Sequence, residues 1–467
     1  MRKLGWILVF VAIGIFISTL FLNHYTVLGK VFPGKSQILQ MIDLGVQDDQ
    51  KSISTSELRS MKFAMVKQMS DGPVKKHPIS FFMLTFGLAA LGSILIFIES
   101  FKKSASEQNL GVFHQKLTSR KWPAYLLLLA LVAFYVLLYW FPYYLVEWTI
   151  LVDPIAQLFN SEGQASHWFL YGFMYSYIMT LLGIRMLIKY RHNNYQIIRT
   201  ITVWFFQIVF AFTIPEILAS LNGSWAAIDL KNMWPLDYDF FNNGGLITYA
   251  TESQPVMVNG GGLGLGFLIW GIVLFAVLVP ILVYFFGKRW YCSWVCGCGG
   301  LAETLGDAFR HLSDNSLKAW KIERWMVHSV LVLAILMTIL TLFTMFTGVW
   351  GVTGFIQEWY GFLIGSVFAG VIGTGFYPVF GNRVWCRFGC PLAAYMGIIQ
   401  RFKSRFRVTV NGDQCISCGN CSTHCEMGID VKAYAQKGQD IQRASCVGCG
   451  ICEEVCPRGV LKLENKK

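Results

Sequence analysis

The sequence predicts a polytopic α-helical membrane protein of about eight transmembrane helices, followed by a small cysteine-rich α+β module at the C-terminal end. Three observations carry that fold class. Hydrophobic residues make up 54% of the 467-residue chain and charged residues only 14%, with a mean hydropathy of +0.48, values of a membrane chain and not of a soluble one. Eight apolar stretches are long enough to cross the hydrocarbon core, which takes about 20 helical residues. All thirteen cysteines lie after residue 291, and eight of them crowd the hydrophilic tail.

The spans are expected near 4–22, 79–98, 122–141, 168–188, 200–221, 263–286, 325–347 and 361–381. The first follows Met1-Arg2-Lys3 and has no small-residue cleavage site, so it is expected to stay as an anchor. The chain then divides into the anchor 1–22, a small periplasmic segment 23–78, a transmembrane helical domain 79–400 and a cytoplasmic module 401–467. Within the outer segment a helix is expected over 54–71. Ser54 and Glu57 have capping-box spacing, and Gly72-Pro73 is a stop signal. Leu58, Met61, Met65 and Met69 recur on one face of it, read as a packing surface and not as a Cu(I) site with His77.

Loop charge sets the orientation. Lys102, Lys103, Lys116, Arg120 and Lys121 separate spans two and three, Lys189, Arg191 and Arg199 separate four and five, and Lys288, Arg289, Arg310, Lys318, Lys321 and Arg324 separate six and seven. Loops 142–167 and 348–360 have no lysine or arginine, and 222–262 has only Lys231. The positive-inside rule then predicts a multi-pass protein of the bacterial inner membrane with both termini in the cytoplasm. Segment 23–78 is basic yet outside, and at about 55 residues it nears the length where the rule loses force. The net charge of +12 is assigned to these inner loops and not to nucleic-acid binding. Thiols that must stay free for metal imply a reducing compartment. Arg401, Lys403, Arg405 and Arg407 open the tail and are expected to hold it against anionic headgroups.

The tail carries one spacing twice: Cys415-x2-Cys418-x2-Cys421-x3-Cys425, then Cys446-x2-Cys449-x2-Cys452-x3-Cys456-Pro457. This is the bacterial two-cluster ferredoxin run, in which the fourth thiolate of each run ligates the other cluster. Cys415, Cys418, Cys421 and Cys456 are assigned to one [4Fe–4S] cluster, and Cys446, Cys449, Cys452 and Cys425 to a second. Glu426 follows Cys425 where proline often stands.

A second repeat lies at the span ends. Lys288-Arg-Trp-Tyr-Cys-Ser-Trp-Val-Cys296 and Asn382-Arg-Val-Trp-Cys-Arg-Phe-Gly-Cys390 share an arginine, an aromatic and Cys-x3-Cys. If helical, the x3 spacing puts both sulfurs of a pair on one face. Cys292, Cys296, Cys386 and Cys390 would then offer four soft ligands, suited to an iron–sulfur cluster, Cu(I) or zinc. Cys298 is close enough to replace or supplement one of them. Spacing alone leaves open whether this quartet holds a cluster, a copper ion or a redox-active dithiol, or packs as inert thiols.

The sum resembles the membrane polyferredoxins of the NosR/NapH type, accessory electron-transfer proteins of nitrous oxide and nitrate respiration, and the related oxidase-assembly copper reductases of the CcoG type. Cys386-Arg-Phe-Gly-Cys390-Pro391-Leu392 matches the family's Cys-x3-Cys-Pro motif in full. The first copy departs from it, with Gly297 in the proline position followed by Cys298-Gly299-Gly300. The resemblance covers about residues 263–467. It implies an electron-transfer subunit and not a stand-alone enzyme. NosR-like proteins also carry a periplasmic flavin domain with a Ser/Thr-Gly-Ala-Thr motif. That motif does not occur here and segment 23–78 is too short for the domain, so a flavin is expected from another subunit or not at all.

Weaker candidates complete the reading. Glu216, after Pro215 toward the outer end of span five, is an ionisable group at membrane depth. With His167 and His24 at a similar level it is a candidate quinol or proton site, against the plainer reading of a hydrogen-bonded helix-end carboxylate. His328 lies near the inner end of span seven and is read as a packing histidine. Trp225, Trp234, Tyr238, Phe240 and Phe241, with Asp229, Asp237 and Asp239, make loop 222–262 either a docking face for a periplasmic partner or a cap over the helices. The expected function is a relay of electrons between a cytoplasmic or quinol donor and a membrane or periplasmic respiratory reductase. The alternatives are a copper-reducing maturation factor and a structural subunit of a larger redox complex.

Overall fold

The computed structural model describes residues 1–27, 29–32, 34–48, 55–101, 118–159, 163–222, 233–236, 262–347 and 353–465. Among the described residues eight helices are long and apolar enough to cross a membrane: Arg2–Thr19, Pro78–Glu99, Trp122–Trp140, His167–Lys189, Asn194–Ser220, Leu268–Phe286, Leu317–Thr344 and Phe355–Gly375. The chain is a multi-pass helical membrane protein. Spans five, seven and eight begin earlier than their hydropathy suggests, at Asn194, Leu317 and Phe355. Span seven starts at Leu317 because its charged first turns, with Lys318, Lys321, Glu323 and Arg324, stay helical ahead of the apolar run. A hydropathy window stops at charge, but a helix does not. Span eight ends before Phe376, where the chain turns into the short helix Tyr377–Phe380 with Pro378 in its first turn.

The chain clusters into two units, residues 1–104 with 133–181 and residues 105–132 with 182–467. In the first, span one lies along span two, and the Arg2 backbone N–H donates to Glu99 Oε2 at 2.8 Å. Segment 23–78 forms an antiparallel sheet of order β2-β1-β3, with β1 at His24–Val27, β2 at Lys30–Phe32 and β3 at Ser70–Asp71. Helices Lys35–Asp48 and Thr55–Met69 pack with it. The second is the expected outer helix, while Ser54, its expected cap, lies outside the described residues. Strands this short leave no readable alternation. Among the described positions of Thr55–Met69, Val66 and Lys67 are buried, Leu58, Met65 and Met69 are half-buried and Met61 is exposed. Lys67 Nζ donates to Asp153 Oδ1 and to the Ala165 carbonyl, both at 2.7 Å. Glu147, fully buried, takes Tyr25 and Lys35.

The second unit joins spans five to eight, the basic loops between them and the tail. Both thiol repeats begin with a glycine after a span: Gly287 at φ 64° and Gly381 at φ 89°, each with ψ near 180°. Only glycine adopts that region without strain. The two turns bring the chain back under the helices in the same way. In the tail β4 (Phe406–Val410) pairs antiparallel with β5 (Leu461–Asn465), Phe406 opposite Asn465. Short helices Asn420–Thr423, Val431–Gln436 and Ile451–Glu454 lie between them. Of the loop 222–262, Trp225, Tyr238, Phe240, Phe241, Asp229, Asp237 and Asp239 lie outside the described residues. Trp234 Nε1 donates to Thr338 Oγ1 of span seven at 2.9 Å.

Candidate iron–sulfur sites

The tail thiols sort into two cavities. Cys415, Cys418, Cys421 and Cys456 line one, and Cys425, Cys446, Cys449 and Cys452 line the other. The strand pair closes the module so that each run's fourth cysteine crosses to the other's cavity. The last cysteine of each run accepts a backbone N–H on its sulfur: Ile429 N to Cys425 Sγ at 3.4 Å and Val460 N to Cys456 Sγ at 3.3 Å. Burial pushes the Cys421 and Cys446 thiols up to about 11 and those of Cys425 and Cys449 up to about 12. Thiols held this way give up their protons only to a metal charge, which deprotonates coordinating thiols outright. The donor set fits a [4Fe–4S] cluster in each cavity. Cys418 is exposed and marks the first cavity as the surface one.

The second cavity is fastened to the membrane helices. From the inner end of span five, Tyr195 Oη donates to the Gly448 carbonyl at 2.6 Å and Gln196 Nε2 to the Cys449 carbonyl at 2.8 Å. Arg199 Nη1 also reaches the Cys449 carbonyl, at 3.0 Å. Ser293 Oγ, inside the first thiol repeat, donates to the Val447 carbonyl at 2.8 Å, and Gln400 Nε2 to the Cys446 carbonyl at 2.8 Å.

The five membrane-edge thiols also converge. Cys292, Cys386 and Cys390 are buried in one hydrophobic core with Cys421, and Cys296, Cys298 and the tail cysteines Cys415, Cys425, Cys446, Cys449, Cys452 and Cys456 pack against it. The x3 pairs do not share one helix face. Cys292 ends the short helix Arg289–Cys292, and Cys296 caps the next, Gly297–Glu303. Cys386 lies on a π-helical turn, Trp385–Gly389, and Cys390 caps Pro391–Lys403, accepting Ala393 N on its sulfur at 3.4 Å. Gly297 thus starts its helix where Pro391 starts the other, which accounts for the departure in the first motif. A hydrogen bond from Cys298, against the cost of burial, lowers the Cys296 thiol to about 6, with the Gly299 and Cys298 backbone N–H groups assisting. Burial instead pushes Cys292 up to about 12. Among the described residues no group of three or more His, Cys, Asp or Glu side chains closes tightly enough for a single ion.

Sequence reasoning missed the ionic hub between these sites. Glu426 is fully buried and takes Arg383 Nη2 at 3.0 Å on one oxygen and Arg310 Nη1 at 2.8 Å on the other. Burial would raise its carboxyl, but the two guanidinium groups hold it well below the usual carboxylate range. Arg383 Nη1 reaches the Cys292 carbonyl at 3.1 Å and Cys386 Sγ at 3.9 Å. Arg310 goes on to Asp307 at 3.0 Å, and Asp307 to Lys189 at 2.8 Å. The arginine shared by both repeats and the glutamate in a proline position were the available signals.

The weaker candidates have separate partners. His24 Nε2 lies 3.4 Å from Asp71, and His167 packs edge-on to Phe63 with its buried Nδ1 unpartnered. Glu216 is half-buried in helix Ile214–Asn222. His328 Nδ1 meets the carbonyl of Arg324 at 2.6 Å.

Comparison with known proteins agrees with this geometry. Residues 414–461 match the family model of a 4Fe-4S dicluster domain. Residues 268–315 and 360–409 each match that of a 4Fe-4S binding domain, one match per thiol repeat. The chain is 25% identical over 175 residues to "Putative electron transport protein YccM" of Escherichia coli (strain K12), covering 35% of this chain and 47% of that protein. It is 26% identical over 173 residues to "Regulatory protein NosR" of Stutzerimonas stutzeri, covering 34% and 22%. It is 27% identical over 172 residues to "Methylamine utilization ferredoxin-type protein MauN" of Paracoccus denitrificans (strain Pd 1222), covering 36% and 58%. The chain therefore spans about half the length of the curated relatives it matches, and less of NosR. No solved structure matches it. Eight apolar helices, 4Fe-4S domain matches in the tail and at the span ends, and ferredoxin-type electron-transport relatives make this chain similar to the NosR/NapH-like polyferredoxins.

Proposed function

We propose that the chain relays single electrons along the inner face of a bacterial cytoplasmic membrane through three iron–sulfur centres. Two are held by the tail runs, as assigned above. The third is held by Cys292, Cys296, Cys386 and Cys390, with Cys298 hydrogen-bonded to Cys296. The observation that carries this reading is the single core in which the membrane-edge thiols pack with the tail thiols. A 4Fe-4S match to each repeat favours iron over copper there. When bound, such clusters take up and release one electron at a time, at potentials set by charge, hydrogen bonds and solvent exposure.

The chain's own residues do the rest. Cys418 at the surface leaves the first cavity open to a soluble partner. Tyr195, Gln196 and Arg199 hold the second cavity against span five, and Arg383 bridges from Cys386 to Glu426 beside Cys425. The basic inner loops support both termini in the cytoplasm. The partners are then a cytoplasmic or quinol donor and a membrane or periplasmic respiratory reductase of the nitrous oxide or nitrate type.

Iron analysis with electron paramagnetic resonance on anaerobically purified protein tests this. Three [4Fe–4S] clusters predict about twelve irons per chain, and Cys386→Ala is expected to lose about four of them while keeping the tail signals. A Cys386→Ala variant with unchanged iron would overturn the third centre. Copper bound at those thiols would favour a maturation factor instead.

A further inference from the structure

A cavity of about 520 Å³ opens between the start of span seven, helix Pro391–Lys403 and the tail, within the size range of small-ligand sites. Its walls are strongly cationic. Lys288, Arg324, Arg387, Arg401 and Arg443 line it, against one carboxylate, Glu323. That carboxylate is already taken by Arg387 Nε at 2.7 Å. Among the described residues the other four cations have no carboxylate partner.

Two details mark the site as built for an anion. Arg387 is 3% exposed, and its Nη2 is buried with no hydrogen-bond partner. Arg324 and Arg443 converge on one indole, their guanidinium carbons 5.2 and 4.8 Å from the Trp320 ring centroid. Two like charges gathered on one ring repel each other unless an anion lies between or beside them. Lys288, 2% exposed, adds a third buried or half-buried charge.

The surroundings identify the source of the anion. Helix Pro391–Lys403 turns exposed Ile398 and Phe402 outward at the cavity's rim, Phe402 being 74% exposed. Exposed Ile322 and Trp325 stand beside it on the first turns of span seven. A basic cavity bordered by outward apolar and aromatic side chains at the start of a span matches the inner membrane interface. Basic pockets of this kind between helices take anionic lipid headgroups.

We propose that this cavity binds the phosphate of an anionic phospholipid, with Arg324, Arg387 and Arg443 as its ligands and the acyl chains lying along Ile398 and Phe402. The lipid would fasten span seven to the tail, in addition to the contacts from span five. Cys386 lines the same cavity, so the headgroup lies beside a thiol of the proposed third centre.

The test uses the full-length protein and native mass spectrometry. Lipid retention is compared for phosphatidylglycerol, cardiolipin and phosphatidylcholine in the wild type, Arg324→Gln, Arg443→Gln and the double variant, with Arg401→Gln as a rim variant on an exposed side chain. Iron content and visible absorbance report that each variant is folded. Each arginine lost is expected to weaken retention of the anionic lipids about fivefold, and both together about 30-fold. Lys437→Gln, at an exposed basic residue outside the cavity, is expected to leave retention unchanged. Equal retention of phosphatidylcholine, or equal loss in Lys437→Gln, would overturn a specific site. Inorganic phosphate that binds the detergent-solubilised protein while anionic lipid is not retained would overturn the lipid source.

Discussion

Asp307 shows how single residues carry the architecture at the span ends. It is 6% exposed overall and lies between Lys189 at 2.8 Å and Arg310 at 3.0 Å. Burial would raise its carboxyl, but the two cations hold it well below the usual carboxylate range. A carboxyl depressed in the folded state stabilises the fold above its unfolded pKa of about 4, and that contribution is lost as pH falls toward the folded value. Asp307→Asn leaves Lys189 without its carboxylate and Arg310 with Glu426 alone, and breaking a buried pair typically costs about 3–5 kcal/mol. Thermal unfolding in detergent at pH 7 is expected to show that loss, with the gap between variant and wild type closing as pH drops below about 4. Equal unfolding temperatures at pH 7 would mean that the pair does not stabilise the fold. Asp307 and Glu426 were not legible as a pair in the sequence, because 119 positions separate them and an acidic residue in an inner loop looks like any solvated one. Cysteine spacing was legible because cluster chemistry dictates it locally.

At the scale of elements, the two thiol repeats are one structural unit used twice. Each runs from a span into a glycine turn, a short helix or π turn bearing the first thiol, and a capped helix whose N-terminus bears the second. The sequence revealed the duplication, but not that helix breaks lie between the paired sulfurs. Periodicity sees an x3 spacing and cannot see a chain reversal. The same limit hid β1 to β3 of the outer segment. The glycine turns are where a side chain would be tolerated least. At Gly381 an added Cβ would meet Ser313 Oγ at 2.3 Å and Ser313 N at 2.9 Å, besides adopting a backbone region closed to other residues. Gly381→Ala is expected to cost about 1–3 kcal/mol and to pull Cys386 away from its partners. Lower iron per chain with the tail signals intact would be the result. Unchanged iron and unfolding temperature would show that the turn relaxes without disturbing the thiol.

At the scale of the whole molecule, eight spans were countable because a 20-residue apolar run has few other uses. How the tail sits was not countable, since its contacts are long-range hydrogen bonds from Tyr195, Gln196, Arg199, Ser293 and Gln400. These contacts make the tail part of the membrane unit and not a pendant module. Its core residues Val408, Ile441, Val447 and Leu461 are continuous with Cys292, Cys386 and Leu392 under the helices. Ending the chain after Lys403 would therefore do more than delete two clusters. It would uncover that shared core, leave Arg383 and Arg310 without Glu426, and free the turn that Ser293 holds. A buried cation stripped of its partner is strongly destabilising, and here it is the one in contact with Cys386. The shortened chain is expected to lose essentially all its iron, although five thiols of the membrane edge remain in it. A shortened chain that folds and keeps about four irons would instead mean that the membrane-edge site assembles without the tail, and that the shared core is a contact and not a support.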